Sequence, residues 1–216
     1  MPLEIHIQGY DIPHVPSRLL AMSKPAYYSV VNHAADKPAI IFVPSAKQAR
    51  MRRDLRRDVR AESAAPLGSS AQVQLTAVDM LTYATADDAP RRFLHASAED
   101  IAPFVAVLKE GALAHTVAYG IAFLHEGLSE AEQKAVLALH ASGAVQVLVA
   151  THSMCWGLTA QAHLVVLMDT QFYDGAEHRR PARDTPRDHS RDPRPRSQPG
   201  SEPAAAPRRL CVLRPG

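Results

Sequence analysis

Four short apolar runs along the chain predict four buried strands. Each run is four to six residues long and almost wholly apolar. None shows the alternation of apolar and polar residues that is typical of a strand with one solvent-exposed face. Strands of this kind are buried on both faces, as in a parallel sheet that helices cover. The runs are Ala39–Val43, Ile121–Leu124, Val145–Ala150 and Leu164–Met168.

A helix is predicted to begin after Ser97. Ser97 and Asp100 have the spacing of a capping box, with Asp in the position that Glu more often occupies. The apolar residues that follow recur at i, i+3, i+4 and i+7, so one face of the helix should be buried. They are Ile101, Phe104, Val105 and Leu108.

A second capping box predicts another helix further along the chain. Ser129 and Glu132 supply the box, and Gly143 should end the helix. Strands and helices therefore alternate through the second half of the chain. This order predicts an α/β fold of RecA or Rossmann type, with a parallel sheet flanked by helices.

The segment before the first strand carries prolines that should interrupt any long element. Pro13, Pro16 and Pro25 leave room for a short helix near Ala26–Val31. Residues 1–38 are therefore predicted to be an irregular lead-in. The domain itself is predicted to occupy residues 39–178.

Residues 51–74 interrupt the pattern of the domain. Ser45 can cap a helix that continues through Arg50. An Arg-rich stretch and a small, polar stretch follow it, which together predict a loop over residues 51–74. Helical spacing resumes at Leu75, with Val78 and Leu81 on the same face.

The composition changes after His178. Residues 179–216 hold ten Arg against three Asp and one Glu, together with eight of the chain's 17 prolines. This Arg/Pro-rich tail has too few apolar residues to offset the entropy of ordering, so we expect it to be disordered. The remaining residues have 14 Lys and Arg against 18 Asp and Glu, and their charge gives no reason to expect nucleic-acid binding.

Composition and apolar run lengths indicate an intracellular protein. The apolar runs are too short to span a bilayer, and no signal-peptide pattern opens the chain, so we expect no membrane association. Cys155 and Cys211 have no metal-binding spacing and suit a reducing compartment.

The motifs of complete nucleotide and catalytic sites do not occur in the sequence. There is no G-x-x-x-x-G-K-[ST] loop and no G-x-G-x-x-G after a strand. His152, Ser153 and Asp169 lie near strand ends, where ligands of α/β proteins collect. However, no nucleophile elbow accompanies them, and no two His share a helical face with a carboxylate. Neither a hydrolase triad nor a metal site is favoured.

The connection within Val147–Thr170 allows two interpretations. A strand ends in Ala-Thr, passes through a small polar loop that contains Trp156 and Gly157, and returns to another strand. Hydroxyls and backbone N–H groups at the end of a strand can hold phosphate oxygens. A plain connection between two strands, with Trp156 in the core, explains the same residues.

Several motifs resemble the Ski-type DExH RNA helicases. The stretch VLVATHSMCWGLTAQAHLVV (147–166) resembles motif V, and IIFVPSAKQAR (40–50) resembles motif IV. GIAFLHEGLSEAEQ (120–133) resembles a segment that usually has two His before Ala-Gly, where this chain has Leu-His-Glu-Gly. That variant, together with residues 2–31 and 168–175, is most similar to the second cassette of a spliceosomal helicase.

The resemblance implies a second RecA-like lobe (RecA2) that contacts the sugar–phosphate backbone of RNA. By motif, the RNA-contacting residues are Ser45, Lys47, Thr151 and Ser153. Gly157 and Thr159 would face ATP held between two lobes, although the family usually has Asn or Asp where Thr159 stands. The resemblance also implies a nuclear protein whose partners are small nuclear RNA, other spliceosomal proteins and the preceding RecA1 lobe.

Two departures from the family bear on activity. Residues 51–74 look inserted, and the Arg/Pro-rich tail replaces the segment that leads to the arginines of motif VI. The phosphate loop and the metal-binding carboxylates belong to a first lobe that this chain does not contain. ATP and Mg are therefore expected in an intact parent protein, and neither is expected to bind this chain alone.

Two functions remain open at this point. The chain is either half of an RNA-unwinding cassette or a regulatory, protein-binding scaffold lobe of an inactive cassette. The Leu-His-Glu-Gly variant and Thr159 favour the second description.

Overall fold

A six-stranded mixed sheet forms the centre of the described part of the chain. The computed structural model describes residues 3–44, 69–169, 172–173, 178–179 and 208–215. In chain order the strands are β1 (Leu3–Tyr10), β2 (Ala39–Val43), β3 (Ile121–Leu124), β4 (Val147–Thr151), β5 (Leu164–Met168), β6 (Phe172–Tyr173), β7 (His178–Arg179) and β8 (Arg208–Pro215). The sheet order is β1-β8-β5-β2-β4-β3, while β6 and β7 form a separate antiparallel pair.

The four strands predicted from apolar runs are confirmed, and they form a parallel group in the sheet. β2 pairs with β4 and β5, and β4 pairs with β3, all in parallel. Every residue of β3 and β4 is buried, as expected of strands covered on both faces. β4 begins at Val147, because Val145 forms an isolated bridge to Leu94 instead.

Two antiparallel pairings extend the parallel group, so the whole sheet is mixed. β8 pairs antiparallel with β5, and β1 pairs antiparallel with β8. For residues 208–215 the prediction of a disordered tail is wrong. Val212 is 4% exposed and belongs to the core, so a short apolar segment gains enough burial to order this strand. Residues 180–207 lie outside the described residues.

The irregular lead-in predicted for residues 1–38 is also wrong. β1 joins the sheet, and a long helix, α1 (Val15–His33), follows it. Pro16 lies in the first turn, where no backbone N–H is needed, and Pro25 lies inside the helix. The helix tolerates Pro25 because it buries an apolar face, and that gain outweighs one lost hydrogen bond. The buried apolar residues of this face are Leu19, Met22, Ala26, Tyr27 and Val30.

A second long helix, α2 (Ser69–Ala86), overlaps the predicted loop. The loop prediction is therefore wrong for residues 69–74, whereas residues 51–68 lie outside the described residues. The predicted helical face is only partly correct, because Leu75 and Val78 are exposed and Leu81 is buried. The face that packs on the sheet consists of Val73, Ala77, Met80, Leu81 and Ala84.

Both capping boxes are confirmed. Ser97 and Asp100 cap α3 (Ala98–Val105), and Ser129 and Glu132 cap α5 (Glu130–Ala141). Gly143 adopts a positive φ of 77° just beyond α5, the conformation that ends a helix and favours glycine. In α3, Ile101 is buried, while Phe104 and Val105 are half-buried against the core. Leu108 is half-buried as well but lies beyond the end of α3. A short helix, α4 (Gly111–Val117), lies between the two.

Candidate nucleic-acid interface

The carboxyl ends of the parallel strands bring the candidate residues to one edge of the sheet. Val43, the last residue of β2, pairs with Thr151, the last residue of β4. The ends of β2 and β4 therefore lie side by side. Ser45 and Lys47, the predicted RNA-contacting residues that follow β2, lie outside the described residues.

Thr151 and Ser153 lie close together at this edge but differ in exposure. The Thr151 side chain is fully buried, and its Oγ1 lies 3.2 Å from the Oγ of Ser153. Ser153 is half-buried, so part of it faces solvent. Of the two residues, only Ser153 reaches the surface, while Thr151 is buried.

Glu126, which is not among the predicted RNA-contacting residues, completes this group. β3 and β4 are parallel neighbours with Leu124 opposite Ala150, so the residues just after each strand meet. The Ser153 hydroxyl donates a hydrogen bond to a carboxylate oxygen of Glu126. The relevant signal in the sequence was the position of Glu126 two residues beyond a buried strand. Its partner follows from strand order, which the sequence does not reveal.

His125 fixes the turn that carries Glu126. Its Nδ1 accepts a hydrogen bond from the backbone N–H of Gly127 at 3.0 Å, and its Nε2 lies 3.3 Å from Glu110. Because Nδ1 accepts, the Nε2 atom is the donor to the Glu110 carboxylate. The imidazole is 5% exposed and stacks on Phe123, with ring centroids 5.9 Å apart.

β5, which pairs with β2, is followed directly by a residue of a buried ion pair. Arg18 of α1 donates two hydrogen bonds to Asp169, at 2.9 Å and 2.6 Å, and a third to the carbonyl oxygen of Ile12. Both side chains are almost completely inaccessible to solvent. Asp169 has a positive φ of 66°, an uncommon conformation that the pair holds where β5 ends. This pair connects α1 to the end of β5.

The loop after β4 is a 3-10 helix, His152–Gly157, with an exposed aromatic ring. Trp156 is 91% exposed, so the alternative interpretation of this residue as part of the core is wrong. Gly157 and Thr159 are exposed as well. The two residues predicted to face a nucleotide are thus at the surface.

Neither a metal site nor a membrane-spanning helix is found among the described residues. They contain no group of three or more His, Cys, Asp or Glu side chains that could hold a metal ion. Within the same residues, no helix is both long enough and apolar enough to cross a bilayer.

Comparison with known proteins supplies the family. No protein-family model matches the chain. It is 45% identical over 178 residues to the U5 small nuclear ribonucleoprotein 200 kDa helicase of Drosophila melanogaster, which covers 82% of this chain. It is 42% identical over 180 residues to the DExH-box ATP-dependent RNA helicase DExH12 of Arabidopsis thaliana, again over 82% of this chain. The chain belongs to the DExH-box RNA helicase family.

The aligned region is most of this chain but only a small part of each relative. The chain spans 7% of the length of both helicases named above. Activating signal cointegrator 1 complex subunit 3 of Danio rerio is 33% identical to this chain over 179 residues. The chain spans 10% of the length of that protein. The mixed sheet flanked by helices agrees with a RecA-like helicase lobe, so the predicted α/β class is confirmed.

Proposed function

We propose that this chain is the RecA2 lobe of a spliceosomal ATP-dependent RNA helicase and that it contacts the RNA backbone. The observation that carries the proposal is the 45% identity to the U5 small nuclear ribonucleoprotein 200 kDa helicase over 82% of the chain. The lobe is proposed to act as part of a longer protein that unwinds RNA. On the same ground we propose a nuclear location, with small nuclear RNA and other spliceosomal proteins as partners.

The proposed RNA contact lies at the carboxyl edge of the parallel strands. Ser153 is half-buried there and offers a hydroxyl, while Thr151 lies beneath it and positions that hydroxyl. Ser45 and Lys47 follow β2, whose last residue pairs with Thr151. Hydroxyl and ammonium donors to phosphate oxygens favour contact with any sequence, because they read no base edges.

The proposed nucleotide contact involves residues on the same loop. Gly157 and Thr159 are exposed beyond β4, and a RecA1 lobe packed against this edge would enclose ATP and Mg between the two lobes. The phosphate loop and the metal-binding carboxylates would come from that first lobe. This lobe would form one wall of the ATP site and position the nucleotide, and it would not supply the phosphate-binding groups.

Replacing Lys47 tests the RNA contact. Lys47→Ala should weaken binding of the 216-residue chain to a fluorescein-labelled single-stranded RNA in an anisotropy titration. The loss should be similar for all RNA sequences, and the slope of log K against log salt should fall by about 1, as expected for one phosphate contact. Lys134→Ala is the matched control, because Lys134 is an exposed lysine on α5 with a partner in Glu130. Equal losses for the two variants would contradict the proposal.

A second candidate function is a regulatory scaffold lobe of an inactive cassette. Thr159 and the Leu-His-Glu-Gly turn are the sequence features that favour it, and the exposed Trp156 offers a surface for a protein partner. RNA-stimulated ATP hydrolysis by the intact cassette separates the two candidates. Turnover at ordinary helicase rates would exclude the scaffold function.

A further inference from the structure

The Ser153 hydroxyl already has an anionic partner within the protein. Glu126 and Ser153 are both half-buried, and the hydroxyl donates to the Glu126 carboxylate. A carboxylate only accepts hydrogen bonds, and a serine hydroxyl has one proton to donate. The Thr151 Oγ1 is the other acceptor near the Ser153 hydroxyl, at 3.2 Å, but it is neutral and therefore a weaker acceptor than an ionised carboxylate. The only proton that Ser153 has is thus committed to Glu126.

An RNA phosphate would need that same proton. Phosphate oxygens, like carboxylate oxygens, accept hydrogen bonds, and bonds to ionised acceptors are roughly twice as strong as neutral ones. A phosphate on Ser153 would also lie a few ångströms from the Glu126 carboxylate. That separation is well below the Debye length of about 8 Å at physiological ionic strength, so salt would screen the repulsion only weakly.

The turn around Glu126 keeps the carboxylate near Ser153. His125, the preceding residue, is buried and stacked on Phe123, and its two ring nitrogens are engaged by Gly127 and Glu110. The backbone that carries Glu126 is therefore fixed on both sides. For a phosphate to reach Ser153, the Glu126 side chain itself would have to turn away.

We propose that Glu126 competes with RNA phosphate for the Ser153 hydroxyl and thereby sets a low affinity of this lobe for RNA. The inference rests on the proposed function, because it concerns the same edge of the sheet. Glu126 is then an affinity-determining residue, and Ser153 can donate to an RNA phosphate only when the Glu126 carboxylate turns away.

The test is RNA binding by the complete 216-residue chain, using a fluorescein-labelled single-stranded oligouridylate. Glu126→Gln keeps the side-chain shape and removes the charge, and we expect it to lower the Kd about three- to tenfold, the net effect of one ordinary hydrogen bond. Glu126→Ala removes the competing acceptor and should lower the Kd at least as far. Glu130→Gln is the matched control, since Glu130 is exposed, pairs with Lys134 and lies outside this group. Glu130→Gln and Glu126→Gln each remove one negative charge, so the two variants have the same net charge.

Ser153 must account for the gain if the mechanism is correct. Ser153→Ala should change the Kd of the wild-type chain little, because Glu126 already occupies the hydroxyl. In the Glu126→Gln background the same substitution should cancel the tighter binding. An equal gain in Glu126→Gln and Glu130→Gln, or a gain that persists without Ser153, would overturn the inference.

The outcomes also separate this inference from the proposed function. If Lys47→Ala weakens binding while Glu126→Gln behaves like Glu130→Gln, the RNA contact stands and the competition is wrong. If neither Glu126 variant gains affinity and Lys47→Ala has no effect beyond its control, both proposals are wrong. Thermal unfolding curves recorded by circular dichroism should be the same for the Glu126 variants and the wild type, which would show that the fold is intact.

Discussion

At the scale of single residues, Glu132 shows how one side chain joins two elements. Its carboxylate accepts four hydrogen bonds, from the hydroxyl and backbone N–H of Ser129 and from the backbone N–H groups of Lys109 and Glu110. The Ser129 hydroxyl, followed by the backbone of Lys109, lowers the pKa of Glu132 to about 2. Glu132 therefore caps α5 and also fixes the chain that enters α4.

The lowered pKa of Glu132 predicts a loss of stability in acid. The carboxyl is easier to ionise in the folded chain than at its ordinary pKa of 4.5, so its contribution is complete above that value. The contribution should disappear as the pH falls from about 4.5 to about 2, through the folded pKa. Urea unfolding of the wild type and Glu132→Gln should give free energies that converge over this interval. At pH 7, Glu132→Ala should cost about 1 kcal/mol or more, the usual cost of a lost cap.

A matched glutamate provides the control for Glu132. Glu130 is in the same first turn of α5 but is exposed and pairs with Lys134. Glu130→Gln should leave the free energy of unfolding almost unchanged, because surface ion pairs contribute little. A pH dependence that is the same in the Glu130 and Glu132 variants would contradict the role given to Glu132.

At the scale of elements, β8 shows why composition misled the prediction for the tail. The average over residues 179–216 is dominated by Arg and Pro, whereas the strand requires only a few apolar residues near Val212. Val212 lies opposite Val166 in the antiparallel pair with β5. The strand covers the edge of β5 and places β1 next to it in the sheet.

Replacing Val212 tests the role of β8. Val212→Ala should lower the free energy of unfolding by about 1–2 kcal/mol, because a buried side chain loses two methyl groups. Amide hydrogen exchange should accelerate in β5 and β1, whose hydrogen bonds depend on β8. Ile7→Ala is the control, since Ile7 lies on β1 but is exposed. Exchange in β5 that is unchanged by Val212→Ala would contradict this pairing.

At the scale of the whole molecule, the chain should not hydrolyse ATP by itself. Phosphoryl transfer in helicases needs groups from two lobes, and no phosphate-binding glycine loop occurs in this sequence. The isolated chain should therefore release no phosphate from ATP above background in a coupled assay, with or without RNA. A P-loop ATPase of known activity is the positive control for the assay. Phosphate release by the isolated chain would show that the division of labour between lobes is wrong.

The structure also revises how the chain is divided. Residues 3–33 form β1 and α1, which contribute to the same sheet and core as the later strands. The predicted boundary at residue 39 therefore separates no independent unit. The insertion predicted at 51–74 stays a prediction for residues 51–68, while residues 69–74 open α2.

The sequence by itself determined the features that depend on neighbours along the chain. Apolar runs specify β2 to β5, and two capping boxes specify where α3 and α5 begin, because a side chain and the backbone a few residues away decide both. The family motifs were equally legible, since they are contiguous.

Only the tertiary structure decided the features that depend on distant residues. Pro25 remains helical because α1 is buried against the core, and β8 is ordered because β5 offers it an edge. Thr151 is buried, and Glu126 meets Ser153, because β3 lies beside β4 in the sheet. Burial and strand order are properties of the assembled sheet, and no local pattern encodes which strand becomes a neighbour.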